Sequence, residues 1–278
     1  MNKAFRHIFL GLKGIAINPK LSLTKKIFLY IDYCRLSFFA FTQYRNSRLS
    51  DSSIDKTFFI SALNIKIHFP NVYSFFFLFN EIFCKAEYPA ENGITTYIDL
   101  GAHIGLAILW YHYFNPRVKI YCFEPDPITY EYLKKNLDEN GIINAIVYKK
   151  AVSLRRGKAK FYSITDNIQQ LDSGLQLNQN LPYTIRIVEK QKLSTILKRV
   201  KKIDLIKMDI EGSEYDVLQD LFSTKSITKV QKIVFESHIF NSKERHRYNK
   251  FVKKLKAIGS FSSSANSKYS YINYWQKN

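Results

Sequence analysis

Asp99, Gly101 and Gly105 stand in the run YIDLGAHIGLAILW (97–110), where a β-type segment closes on an acid and an apolar stretch of helical spacing follows. Glycines let the backbone approach a ligand closely, and a helix start offers free N–H groups, so this pattern asks for a nucleotide-like cofactor. A dinucleotide site uses GxGxxG with a pyrophosphate at the helix end. Here the spacing is DxGxxxG, with no middle glycine and with an acid before the turn. That acid would repel a pyrophosphate but suits a ligand bearing an ammonium and a sulfonium, as S-adenosyl-L-methionine does. Glu124 closes the next β-type run, YCFEPDP, about 25 residues after the first glycine, where a carboxylate can accept from both ribose hydroxyls. Nicotinamide folds share that acid, so it argues for a ribose without choosing the cofactor.

Two later runs also end on ionisable groups. IDLIKMD (203–209) closes on Asp209, with Glu211 just beyond, and KIVFESH (232–238) carries Glu236 and closes on His238. In an open α/β sheet, ligands gather at the carboxyl ends of the strands, where Asp99, Glu124, Ala151, Asp209, Glu211, Glu236 and His238 all fall. A hydroxyl attacking a sulfonium methyl needs in-line placement and a proton acceptor. Histidine is the natural base near neutral pH, so His238 is the first catalytic candidate and Asp209 the second. Asp209 or Glu211 would orient its imidazole. Asp209, Glu236 and His238 could supply three metal ligands, but nothing in their spacing fixes a geometry, and no metal is expected.

The elements that must hold these residues read as an α/β alternation from residue 95 onward. Strands are expected at 95–100, 118–124, 145–153, 203–209 and 232–238, and helices at 104–114, 126–141, 213–222 and 243–258. Asp126 can cap its helix, Pro127 suits the first turn and Gly141 the end. KAKFYSI (158–164) reads as an added hairpin arm, 165–190 as a long polar loop leading into a short strand, and SFSSSANSKYSYINYW as a closing hairpin with SANS as its turn. Residues 1–90 are aromatic and basic, with a hairpin at 57–70 and a buried helix over VYSFFFLFNEIF. They read as an extension packed on a core domain of residues 91–278.

YIDLGAHIG, YCFEPDPITYEYLKKNL, the AVS at 151–153, IDLIKMDIEGSEYDVL and VFESH follow one another as in FkbM-type S-adenosylmethionine-dependent methyltransferases, which the chain resembles from about Phe75 to His238. The upstream EIFCKAEY resembles that family's EIF…Y segment. The resemblance implies a Rossmann-like class I fold, with a seven-stranded, mostly parallel sheet between helices. It also implies O-methylation of small molecules, glycans or related natural products. Carried onto this chain, it adds Ala102, His103, Pro125, Ala151 and Val152 to the cofactor-binding set of Asp99, Gly101, Gly105 and Glu124. Asp209 and Glu211 would lie near the methionyl end. His103 stands where the family often has Asn.

The 278 residues are 46% hydrophobic and 23% charged, as in soluble globular chains, and carry a net charge of +19. That charge sits on the flanks. Residues 1–90 hold 12 Lys/Arg against 5 Asp/Glu and residues 224–278 hold 12 against 2, whereas 91–223 are nearly balanced at 18 against 16. The flanks suit a solvated surface or an anionic partner: a phosphorylated glycan, a lipid-linked acceptor, an anionic membrane or RNA. Lys253, Lys254 and Lys256 lie on a helix whose other face is apolar.

A nucleic-acid substrate is the weaker reading, because the fourth strand has MDIE in place of a [DN]PP[FY]-like tetrad. Cys122 lies within a strand and does not sit as a nucleophile. A nicotinamide-dependent oxidoreductase lacks its GxGxxG, and an inert binding module would not need both Asp99 and Glu124. Cys34, Cys84 and Cys122 form no CxxC pair and read as buried free thiols of a cytoplasmic protein. The start lacks a small-residue cleavage site. The apolar stretches 27–41 and 72–84 are interrupted by Asp32, Arg35 and Glu81 and fall short of the ~20 residues a spanning helix needs. A peripheral contact at the inner face of a membrane remains compatible with the basic flanks.

Overall fold

A computed structural model of the chain describes residues 3–45, 56–88, 91–164, 183–239, 241–265 and 270–278. Its centre is a seven-stranded sheet. Strands β3 (Thr96–Leu100), β4 (Lys119–Phe123) and β5 (Ala145–Tyr148) run outward on one side, and β9 (Ile203–Met208) and β10 (Val230–His238) on the other. These five are parallel, and the hairpin β11 (Gly259–Ala265) and β12 (Ser270–Lys277) closes the edge antiparallel, giving the order β11-β12-β10-β9-β3-β4-β5. The central strands are nearly continuous apolar runs because both faces are covered. Strand order reverses between β3 and β9, so the crevice beyond their carboxyl ends is the natural ligand position.

The helices α4 (Leu106–Phe114), α5 (Pro127–Glu139), α7 (Glu214–Ser223) and α8 (Ser242–Lys256) lie where the periodicity puts them. Asp126 caps α5 by accepting from the Ile128 and Thr129 amides, with Pro127 in the first turn. Its other oxygen holds Ser163 Oγ at 2.6 Å and Arg186 at 3.4 Å. It thereby ties α5 to the arm formed by β7 (Gly157–Ile164) and β8 (Tyr183–Gln191), an antiparallel pair.

AIVYKKAVS is not one strand. The Lys150 amide bonds back to Tyr148 O, which turns the chain, and β6 (Ala151–Val152) leaves the main sheet to pair with β8. The strand expected to be short, β8, runs nine residues. Residues 165–182 and the 266–269 part of the closing turn lie outside the described residues. A further short helix, α6 (Leu193–Leu197), precedes β9.

The N-terminal part forms α1 (Lys3–Ile17), α2 (Leu23–Arg45), the hairpin β1 (Lys56–Ile60) and β2 (Ile65–Phe69), then α3 (Val72–Phe79), which widens into a π-helical turn over Asn80–Cys84. Asp32, an interruption in the first membrane-like stretch, is buried and accepts from Ser61 Oγ and the Ala62 amide at 3.0 Å each, stapling α2 to the hairpin turn. Phe69, Phe75, Phe79, Phe83 and Trp110 meet ring to ring, the first pair stacked and the others tilted or edge-on, joining the hairpin to α4. One apolar cluster therefore runs from Ile15 and Leu29 through these rings to Ile120 on the sheet. Cys84 and Cys122 are buried free thiols, but Cys34 is exposed, because it lies on the face of α2 turned away from this cluster.

Candidate active site

The loop after β3 doubles over the end of β4, with the Gly101 and Ala102 amides both donating to Phe123 O at 3.1 and 3.0 Å. This path needs left-handed backbone at Gly101, His103 and Gly105, with φ of +80°, +50° and +93°. At Gly101 a Cβ would also strike the carbonyl oxygen of Asp209. At Gly105 it would press on Leu133 Cδ1 at 2.9 Å, so that glycine makes room for α5 as well as shaping the loop.

Asp99 does not extend a free carboxylate toward a ligand. It is fully buried, accepts from Tyr97 Oη at 3.0 Å and pairs with Lys207 Nζ at 3.3 Å, its register partner on β9. Lys207 Nζ also donates to Gly101 O at 2.7 Å. Burial raises the Asp99 pKa against the pull of Lys207. For Lys207, burial acts downward, but Asp99 and Asp209 prevail and hold it charged. The pair thus braces the loop from beneath.

Glu124 sits where a ribose acid should. Its two oxygens accept from the His103 and Asp126 amides, each at 2.9 Å, which leaves each oxygen a lone pair for a further donor. Burial pushes its carboxyl up to about 8, with the two amides pulling the other way. Pro125, half-buried, links Glu124 to the Asp126 cap. His103 is held neutral, its pKa lowered to about 4 by burial and by Lys207. Ala151 and Val152 are buried in β6, and the next residue, Ser153, donates from Oγ to Asp216 at 3.2 Å.

The other half of the crevice is built by the turn DIEGS after β9. The Asp209 amide bonds Leu100 O, and Glu211 and Gly212 both take positive φ (+50° and +98°). A non-glycine residue there is strained backbone that its surroundings must hold. Glu214 supplies the hold: it is fully buried, and one oxygen accepts from the Ile210 and Gly212 amides at 3.2 Å each while meeting His238 Nδ1 at 3.2 Å. On its other side, His238 Nε2 lies 3.2 Å from Glu211 and 3.8 Å from Glu236. Burial pulls the imidazole pKa down, but Glu211, Glu214 and Glu236 together hold it well above its ordinary value. Asp209, Glu211 and His238 offer ligand atoms within 4.8 Å of one another, a spacing that a divalent cation could use and that the imidazolium already answers electrostatically.

The N-terminal part reaches into this crevice. Tyr88 Oη donates to Asp209 Oδ2 at 3.3 Å, and Lys207 lies over the Tyr88 ring at 5.4 Å. Glu81, on the π-helical turn, and Glu87 are pushed up by burial first; Glu87 then raises Glu81 further, and Asp209 adds to both shifts. A π-turn inside a helix is a frequent mark of a functional site.

Glu124, Asp209, Glu211 and His238 therefore gather at one sheet edge as their spacing predicts. Lys207, Glu214, Glu81 and Tyr88 were missed. A lone cation inside the apolar strand IDLIKM was a readable signal for Lys207. Glu81, Tyr88 and Glu214 stand inside the EIFCKAEY and IDLIKMDIEGSEYDVL runs that carry the family resemblance, but nothing in their local spacing assigns them a role.

A family model described as "Methyltransferase FkbM domain" matches residues 99–264, more than half of the chain. "Methyltransferase 1" of Beauveria bassiana is 26% identical, covering 52% of this chain and 66% of that protein. "31-O-demethyl-FK506 methyltransferase FkbM" of Streptomyces tacrolimicus is 25% identical (58% and 74% covered). "2-O-methyltransferase NoeI" of Sinorhizobium fredii is 26% identical (50% and 61% covered). The chain thus spans just under two thirds of the first of these relatives. Among solved structures, that of the fibrillarin/Nop5p complex aligns with 72% of this chain and 81% of its own at 13% identity and a TM-score of 0.44.

Proposed function

The chain belongs to the methyltransferase FkbM domain family, and from that premise we propose that it moves a methyl group from S-adenosyl-L-methionine to a hydroxyl of a small-molecule or glycan acceptor. Two relatives carry O-methylation in their printed names, which supports the choice of a hydroxyl. The observation that carries the cofactor is Glu124. It is a buried carboxyl with two backbone donors and a spare lone pair on each oxygen, and its raised pKa would be relieved by the two hydroxyl donors of a ribose. When bound, the cofactor supplies an electrophilic methyl on a positively charged sulfur.

The chain's own residues do the rest. Glu124 holds the ribose hydroxyls, and the loop braced by Lys207 sets the position of the His103 amide that orients Glu124. Asp209 and the neighbouring carboxylates give the crevice a negative field suited to a cationic ligand. In its unprotonated form His238 takes the proton of the attacking acceptor oxygen at Nε2, while Glu214 fixes the ring through Nδ1. Acceptor identity is read by the walls that Tyr88, Glu81 and Glu87 add.

Titration calorimetry with S-adenosylhomocysteine, followed by transfer of a labelled methyl to a panel of hydroxylated acceptors, tests the reading. Glu124→Gln should weaken binding at least tenfold, and chelators should leave turnover unchanged. Preferential binding of a nicotinamide dinucleotide, or labelling of nitrogen in place of oxygen, would overturn it.

A further inference from the structure

The outward side of α2 is apolar along most of its length. Leu23, Ile27, Ile31, Cys34, Phe38 and Phe41 recur every three or four residues, share one helical face, and are all exposed. Leu23, Phe38 and Phe41 are 76%, 70% and 62% exposed. The helix already has a core face in Leu29, Tyr33, Leu36 and Ala40, which are buried, so this stripe is a second apolar face. Ile17, at the end of α1, is exposed as well. An apolar face of this extent on a surface helix calls for an occupant.

Charge decides which occupant. Residues 3–45 carry eight Lys or Arg and a single acid, Asp32, whose carboxylate is buried against the hairpin turn. Lys13, Lys20 and Arg35 are exposed on this part of the surface, Arg35 reaching back to Asp32 at 3.3 Å, and the one carboxylate is turned inward. No helix among the described residues is long and apolar enough to cross a membrane. At 23 residues α2 is long enough to span but too polar overall to do so, and a helix with an apolar face and basic surroundings of that kind lies in the headgroup plane of a bilayer. We propose that α1 and α2 dock the protein on an anionic lipid surface, with the α2 stripe at the acyl boundary and the flanking lysines against the headgroups. A second copy fits less well, because pairing the stripes would bring two basic helix pairs together with no acid to offset them. This surface goes beyond the methyl-transfer reading and does not depend on it.

The test uses the whole chain with vesicles of phosphatidylcholine alone or with phosphatidylglycerol added. The unlabelled wild type should float with the anionic vesicles only, and less so as salt rises. Because Cys84 and Cys122 are buried, a polarity-sensitive fluorophore on Cys34 should shift to the blue with the same vesicles. The double substitution Ile31→Glu and Phe38→Glu, at exposed positions, should leave the melting curve unchanged and weaken flotation at least tenfold. The wild-type flotation and the fluorophore decide the matter even where that variant does not fold. Equal binding to neutral vesicles, binding to neither, or a concentration-dependent dimer with Cys34–Cys34 crosslinking in place of lipid binding would overturn the proposal.

Discussion

Glu124 and His238 are both ionisable groups shifted upward, for opposite reasons and with opposite consequences. Burial raises Glu124 to about 8 from its ordinary 4.5, so the folded protein binds a proton that the unfolded chain has lost. The free protein therefore loses stability from this group as pH rises from 4.5 to about 8. A ribose donating to the carboxylate favours its ionised form. S-adenosylhomocysteine binding at pH 7 is accordingly expected to release protons, with an enthalpy that varies with buffer ionisation heat, and to tighten from pH 6 to 8 and then level off. At His238 the surrounding carboxylates raise the pKa against burial. A base must be unprotonated, so turnover at saturating substrates should climb along an alkaline limb lying above the ordinary histidine value. Glu211→Gln removes one of those carboxylates and should move the limb toward neutrality. A limb that stays in place in a folded Glu211→Gln protein would take His238 out of the proton path. The two groups separate cleanly, since one governs affinity and the other the rate.

Asn136 joins three elements through one side chain. It is fully buried on α5, where its Oδ1 accepts from the His68 amide at 2.7 Å. Its Nδ2 donates to His68 O at 3.0 Å and to Ile104 O at 2.8 Å. An amide is the side chain that can satisfy a strand's N–H and C=O together, and here it stands in for the next strand of the β1–β2 hairpin while holding the glycine loop after β3. Asn136→Leu keeps the volume but strands those backbone groups. It should cost roughly 2–4 kcal/mol in chemical denaturation, more than an ordinary surface change. It should also loosen the loop at Ile104, which would appear as weaker S-adenosylhomocysteine binding in the folded fraction. Asn140, one turn on, repeats the device at the exposed end of the hairpin through Lys66.

At the scale of the whole molecule, the N-terminal part shares the core of the main domain and reaches the candidate site. The apolar cluster that begins at Ile15 and Leu29 continues to Trp110 and Ile120, and Tyr88 and Glu81 complete the crevice. Removing residues 1–45 should therefore leave no trimmed enzyme. It should expose the aromatic chain, abolish a cooperative thermal transition and drive aggregation, which calorimetry and size exclusion would detect. What the sequence determined unaided was local: the β/α alternation, the Asp126 cap, the glycine-dependent loop, and acids at the ends of strands. Each follows from side-chain periodicity or turn chemistry within a few residues, where the energies are set by neighbours in the chain. It misread 145–153 because a two-residue bend between apolar runs leaves no mark on periodicity. Only the tertiary structure decided that Asp99 spends its charge on Lys207, that Glu214 grips the strained turn and His238, and that Tyr88 meets Asp209 across more than a hundred residues. It also decided that α2 keeps an apolar face turned outward. Those outcomes depend on strand register and on which face another element covers, and neither quantity is written in local spacing.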